Sequence, residues 1–197
     1  LTCSLIHRYS FTADANDSVG TANGTVYGYD YSFLDGWLNL LPTSEYDYNY
    51  VDFGPNVISG NDAVTFEAWA SFGTNYTWAR LFDFGDNNGV SGTSYVVFTP
   101  ISSAGTARAT IYTPTGGQIN IDAPGTLDGQ TNVHVVVVFH PLAGYIKLYI
   151  NGVLAAQNLN VSGQALAHVQ DNYSFIGNSH AYVDSGPNES VNEFRIY

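Results

Sequence analysis

Asp14 and Asp17 stand three residues apart in the stretch Ser10 to Thr25, SFTADANDSVGTANGT, in a chain where 5 of 197 residues are Lys or Arg. Two carboxylates about 5 Å apart at an effective dielectric near 20 repel by roughly 3 kcal/mol. No basic side chain lies within the stretch to relieve that repulsion. A hard cation relieves it: calcium takes about 6 to 8 oxygens from carboxylates, Asn side chains and backbone carbonyls, and residues 14–24 offer all three kinds. Asn23 adds a side-chain or carbonyl oxygen to those of Asp14 and Asp17. The plainer alternative is that both aspartates cap turns and stay solvated.

A second chemistry is carried by aromatic rings interleaved with acids and amides. Saccharides are held by rings that stack on their apolar faces and by planar Asp, Asn and backbone groups that bond their hydroxyls. YGYDYSFLDGW (27–37), SEYDYNYVDF (44–53), GDNNGVSGTS (85–94) and GNSHAYVDSG (177–186) read as loops with this make-up. Trp37, Asp47, Tyr48, Asp86, Asn87, His180 and Tyr182 are the candidate sugar contacts. The competing reading puts Trp37 in the core and the tyrosines along strand edges. Asp86, Asn87 and Asn88 are alternatively ligands of a second calcium that grips sugar hydroxyls directly.

No catalytic set emerges from the residues. A retaining glycosidase needs two carboxylates about 5 Å apart. Glu67 has no acidic residue two positions away, and Asp83 and Asp86 fall on opposite faces of a continued strand. The remaining histidines, His7, His134, His140 and His168, show no zinc-binding spacing, and Cys3 is alone. Burial of Cys3 is the expectation. A small polysaccharide-active enzyme is the alternative function, and a protein-binding module a third.

Composition and charge restrict the partners. A formal net charge of −12, with the basic residues scattered singly, disfavours nucleic acid and anionic membrane surfaces, which are bound by clustered Lys and Arg. No run is long and apolar enough to span a bilayer. Sequons at Asn16, Asn23, Asn75, Asn160, Asn172 and Asn188, together with the absence of Met, predict a secreted protein with its leader removed.

The elements that must position these residues are strands. VTFEAWASF (64–72), RLFDFG (80–85), SYVVFT (94–99), ARATIY (107–112), VHVVVVF (133–139), YIKLYING (145–152) and NEFRIY (192–197) are rich in β-branched and aromatic residues, with Gly, Asn, Asp or Pro clusters between them. Residues 145–150 alternate as a half-buried strand does, whereas 133–139 is apolar on both faces apart from His134 and predicts a strand covered on both sides. Asn151-Gly152 predicts a type I′ hairpin. The class is all-β, a two-sheet antiparallel sandwich or jelly roll, with a single domain over 1–197.

HRYSFTADANDSVGTANGT, VTFEAWASF with WARLFDFGD, HVVVVFHPLAGYIKLYINGVL and IGNSHAYVDSGPNESVNEFRIY occur in an order that resembles a laminin G-like domain of the concanavalin A-like lectin/glucanase superfamily. The glycosylated, cysteine-poor setting resembles calcium-dependent mushroom lectins of that fold. The resemblance implies that the N-terminal loop packs on the last strand with a shared structural calcium, adding Glu193 to Asp14, Asp17 and Asn23. It also implies an acidic pair at 192–193, where this chain has Asn192. The function expected is a lectin for neutral oligosaccharides or polysaccharides, with crosslinking left to a homodimer.

Overall fold

The computed structural model describes residues 4–41, 49–161, 163–181, 184 and 186–197. Cys3, Asp47, Tyr48 and Tyr182 lie outside the described residues. Fifteen strands are formed among the described residues, in two antiparallel sheets. No helix among them is long and apolar enough to cross a membrane.

Sheet A contains β1 (His7–Tyr9), β3 (Tyr31–Leu34), β4 (Trp37–Leu40), β6 (Val64–Phe72), β11 (Val133–His140), β12 (Tyr145–Ile150), β13 (Val153–Asn158) and β15 (Glu189–Ile196). Its order is β13-β12-β11-β6-β15-β4-β3, with β1 also on β15. Sheet B contains β2 (Thr25–Tyr27), β5 (Tyr50–Asp52), β7 (Phe82–Asn87), β8 (Gly92–Thr99), β9 (Arg108–Thr113), β10 (Gly117–Asp122) and β14 (Tyr173–Ile176), in the order β10-β9-β8-β7-β14-β5-β2.

The period-2 pattern decides which faces meet. In β6, Val64, Phe66, Ala68, Ala70 and Phe72 are buried while the residues between them are half-buried. Phe66 stacks on Phe82 across the sandwich at 4.3 Å between centroids, and Phe194 packs against Phe53, Phe82 and Phe84 at 6.0–6.3 Å. Each such ring contributes about 1.5–3 kcal/mol when fully buried, so the two inner faces hold the sheets together without a cross-link. β11 departs from the expectation. His134, Val136, Val138 and His140 are half-buried on the outer face of sheet A, so only one side of this strand is covered.

β15 fixes the position of the N-terminal loop. β4 pairs with Glu189–Val191, and β1 pairs with Phe194–Ile196 in the register Arg8 to Arg195. Between these two partners a bulge falls at Val191/Glu193 against β6. The extra residue turns both Asn192 and Glu193 away from the core, where Asn192 Nδ2 donates to Gly36 O at 2.7 Å. Two hairpins, one expected from the sequence and one not, have the same cause: Asn151-Gly152 and Asp35-Gly36 both hold positive φ at two successive positions, the type I′ condition.

Candidate functional site

The outer face of sheet B is built by the residues that alternate with the core. Val96, Phe98, Ala109 and Ile111 are buried inward, which turns Tyr95, Val97, Thr99, Arg108, Thr110 and Tyr112 outward. Register then carries the pattern across the sheet. Tyr95 opposes Tyr112, which opposes Gln118, while Asp83 opposes Phe175, which opposes Asp52. Tyr27 stacks on Tyr50 at 5.1 Å, and Tyr50 meets Phe175 edge-on at 5.5 Å. Tyr95 packs on Tyr112 at 5.3 Å. These rings form a row across strands that alternate in direction. Gly85 keeps the floor low between them, because a Cβ there would lie 2.4 Å from Ser94 O and 2.6 Å from Tyr95 Cβ.

A loop crosses the middle of this face and is held by charge. Arg80 is 8% exposed; its Nη2 donates to Asp184 Oδ2 and its Nη1 to Trp78 O, both at 2.6 Å, and its Nε lies 3.4 Å from Asp83 Oδ2. The Asp83 carboxylate also accepts from His180 N at 3.2 Å and pairs with His180 Nδ1. Ser179 Oγ donates to Asp184 at 2.9 Å, and the His180 imidazole stacks on Tyr95 at 4.4 Å. Burial pushes the Tyr95 phenol above its ordinary pKa, so its hydroxyl stays protonated and donates to Gln118 Oε1 at 3.2 Å.

This bridge divides the face into two depressions of about 230 Å³ each. One is lined by Tyr50, Asp52, Asn87, Tyr173, Asn178 and His180. The other is lined by Trp78, Arg80, Tyr95, Thr110, Gln118 and Asp184. Trp78 has φ +74°, a conformation rarely adopted by a bulky residue and one that costs about 1–3 kcal/mol. Two guanidinium groups lie over its ring, with Arg80 Cζ at 5.8 Å and Arg108 Cζ at 5.6 Å from the centroid. Arg108 is itself clasped by Asp122 through two bonds of 2.7 and 3.1 Å. Burial works to raise the Asp122 pKa, but hydrogen bonds from Arg108 and Thr106 outweigh it and hold the carboxyl below its usual range. Both cations of this face are therefore committed to aspartates.

The carboxylates expected to share a calcium have other partners. Asp17 accepts from the backbone N–H of Arg8, Val19, Gly20 and Ala22 at 2.9–3.1 Å, and its Oδ2 pairs with His7 Nδ1 at 2.6 Å. Burial would raise its pKa, but these bonds outweigh burial and lower it. Glu193 accepts from Arg8 Nε at 2.5 Å, Arg8 Nη2 at 3.2 Å and Arg195 Nε at 2.9 Å, and the two arginines likewise lower its pKa against the effect of burial. Asn23 Oδ1 accepts the Asp17 N–H at 3.0 Å, and Asp14 accepts from Asn16 in a turn. In this arrangement the donor set does not fit a calcium held jointly by Asp14, Asp17, Asn23 and Glu193. Among the described residues no group of three or more His, Cys, Asp or Glu is placed to hold a metal.

Of the seven sugar contacts expected from the sequence, the structure brings Asn87 and His180 together at one depression. Trp37 is elsewhere: it begins β4 in sheet A, on the face opposite the buried Leu38 and Leu40. The segment 27–37 is a strand end and a hairpin rather than a loop. Asp86 has the parity of the buried Phe82 and Phe84 at the end of β7, beside a bulge, and lines neither depression. Tyr50 and Asp52 lie within the stretch 44–53 but are not among the seven, and reading loops alone misses Trp78, Arg80, Asp83, Tyr95, Tyr112, Gln118 and Tyr173. The signal is present in SYVVFT and ARATIY, whose outward parity carries Tyr, Thr and Arg.

A family model described as the concanavalin A-like lectin/glucanases superfamily matches residues 44–197. Among solved structures, domain 4 of AbnA, a GH43 extracellular arabinanase from Geobacillus stearothermophilus in complex with arabinotriose, is 19% identical with a TM-score of 0.74, over 98% of this chain and 92% of that one. The binding domain of botulinum neurotoxin serotype C1 is 14% identical with a TM-score of 0.69, over 98% of this chain and 48% of that one. The CBM40 of Ruminococcus gnavus IT-sialidase, bound to alpha2,3 sialyllactose, is 17% identical with a TM-score of 0.55, over 69% of this chain and 75% of that one. At these identities the likeness is one of fold. Comparison with curated proteins finds no match.

Proposed function

The chain belongs to the concanavalin A-like lectin/glucanases superfamily, and from that premise we propose that it is a secreted, non-catalytic binder of neutral glycans acting through the outer face of sheet B. The observation that carries the reading is the pairing of outward-facing, half-buried or exposed rings with amides beside cations that are already spent. Tyr50, Tyr173, Trp78 and Tyr112 offer apolar surface, while Asn87, Asn178 and Gln118 offer donors and acceptors. Arg80 and Arg108 are neutralised by Asp83, Asp184 and Asp122, and Asp52 has no cationic partner among the described residues. A face with that balance repels uronates and sialates and leaves uncharged sugars as ligands. The arabinotriose complex of the arabinanase domain supports glycan binding on this fold.

Catalysis finds little purchase here. The Asp184 carboxylate is bonded to Arg80, and that of Asp83 is bonded to His180 and ion-paired with Arg80, so neither is free as a nucleophile or a proton donor. Secretion agrees with the exposure of Asn16, Asn160 and Asn172, whereas the Asn75 sequon is buried and its amide bonds Gly73 O and Asn188 N.

A glycan array tests the reading. Wild-type protein is expected to retain neutral glycans, and Tyr50→Ala or Tyr112→Ala to lose about 1–3 kcal/mol of binding with an unchanged melting temperature, as stacking rings do. Binding only to sialylated or uronate glycans would overturn it, as would new reducing ends after incubation with the retained polysaccharide.

We also propose that this binding needs no calcium at Asp14, Asp17, Asn23 and Glu193, whose oxygens are taken by N–H donors. EDTA is expected to leave array hits and melting temperature where they were. A chelator-induced drop in melting temperature that calcium restores would return the ion to the N-terminal loop.

A further inference from the structure

We propose that the site takes an internal stretch of a linear, uncharged polysaccharide, laid across the strands in two subsites on either side of the His180 bridge, rather than a single terminal sugar. The inference rests on the glycan-binding reading above and adds to it the form of the ligand.

The rings and amides are spread too widely for one sugar. Tyr50 on β5 and Gln118 on β10 are separated by β14, β7, β8 and β9, five strand spacings or about 24 Å. A monosaccharide reaches little beyond adjacent strands. The placement along the strands also follows a line. Tyr27 and Tyr50 oppose each other, Phe175 opposes Asp52 two residues further along β5, and Tyr173, two residues further again, opposes Gly85, which opposes Tyr95. The row therefore steps along the strands from Tyr50 through Phe175 to Tyr173 and then runs level across β7, β8, β9 and β10, where Gly85, Tyr95, Tyr112 and Gln118 oppose one another in turn.

The bridge interrupts this row without closing either end. His180 is 4% exposed and lies over Tyr95, so the centre is a low saddle of buried polar groups. Each depression beside it has its own ring and its own amide: Tyr50 and Tyr173 with Asn87 and Asn178 on one side, Trp78 and Tyr95 with Gln118 on the other. Two small sites of similar volume on one axis suit two stretches of one chain, because the second contact is made at the high effective concentration set by the first. The strained Trp78, fixed by Arg80 and Arg108, adds a rigid wall to the second site.

Isothermal titration calorimetry with cello-, xylo-, manno-, laminari- and arabino-oligosaccharides of one, three and six residues tests this. For whichever series binds, the hexasaccharide is expected to bind about tenfold or more tighter than the trisaccharide. Tyr50→Ala and Gln118→Ala, at opposite ends, should each weaken the hexasaccharide, with melting temperatures confirming that both variants fold. A trisaccharide that binds as tightly as the hexasaccharide overturns the two-subsite form while leaving glycan binding intact. The two-subsite form falls equally if only one end variant matters, or if array glycans with branched terminal epitopes bind and every linear series fails. If neither the array nor any series binds, the glycan-binding reading falls and this inference with it.

Discussion

Replacing Arg80 with Met is expected to lower the unfolding free energy by about 3–5 kcal/mol and to abolish ligand binding. The magnitude is that of removing one partner from a buried ion pair and leaving its charges uncompensated. Arg80, Asp83 and Asp184 have side chains 9%, 0% and 10% exposed, so water cannot replace the guanidinium. The expected loss has a spatial consequence as well. Asp184 keeps only the Ser179 hydroxyl, so the segment that lays His180 over Tyr95 loses its strongest tether. Urea denaturation measures the first effect and calorimetry the second. Arg108→Met is the control: Asp122 is 36% exposed, and a pair so open to solvent contributes about 0–1 kcal/mol. A loss at Arg80 no larger than at Arg108 would show that the three groups do not act as one unit. Adding Asp184→Asn to Arg80→Met should recover part of the stability, since it removes one of the charges left behind.

The contrast between Arg80 and the strands around it shows what the order of residues reveals. β6 is legible because VTFEAWASF alternates strictly, and the same alternation then sets which of its residues face sheet B, as Phe66 does against Phe82. β12 and the Asn151-Gly152 hairpin are legible for equally local reasons. Arg80 is not, since its partner Asp184 is 104 residues away and nothing near either residue announces the other. Asn87 and His180 stand out as polar loop residues, but that they share one depression is a fact about β7 and β14 being neighbours.

Local readings fail where a rarer local rule competes. LDGW has the make-up of a ligand loop around Trp37, yet Asp35-Gly36 forms a two-residue turn that starts β4 one residue later. The acidic loop differs in kind. Its charge is plain in the sequence, but Asp17 is met by backbone N–H groups and by His7, while the Arg8 guanidinium is spent on Glu193 at the far end of the chain. Counting Lys and Arg inside one stretch misses donors that every peptide unit carries.

Glu189 yields the other large expected effect, and its sign reverses the usual one for a carboxylate. It is 1% exposed at the start of β15, opposite Leu40 and Phe72, and neither carboxyl oxygen has a hydrogen-bond partner among the described residues. Burial pushes its pKa well above the ordinary value of 4.5. Below that ordinary value both folded and unfolded chains carry the proton, and the group adds no pH dependence. As pH rises further the unfolded chain releases its proton while the folded chain keeps it, so stability falls until pH passes the folded value. Glu189→Gln retains the buried polar group but cannot titrate. It should match wild type near pH 4 and exceed it progressively from about pH 5 to 8. Glu189→Leu also removes the unsatisfied polar atoms and is expected to gain about 1–3 kcal/mol even at pH 4. Chemical denaturation of the three proteins across that range separates the two contributions. A Gln variant offset from wild type by the same amount at every pH would mean that the carboxyl is already paired or hydrated in the folded chain, and that the end of the sandwich where β15 meets β4 is less dry than its apolar neighbours imply.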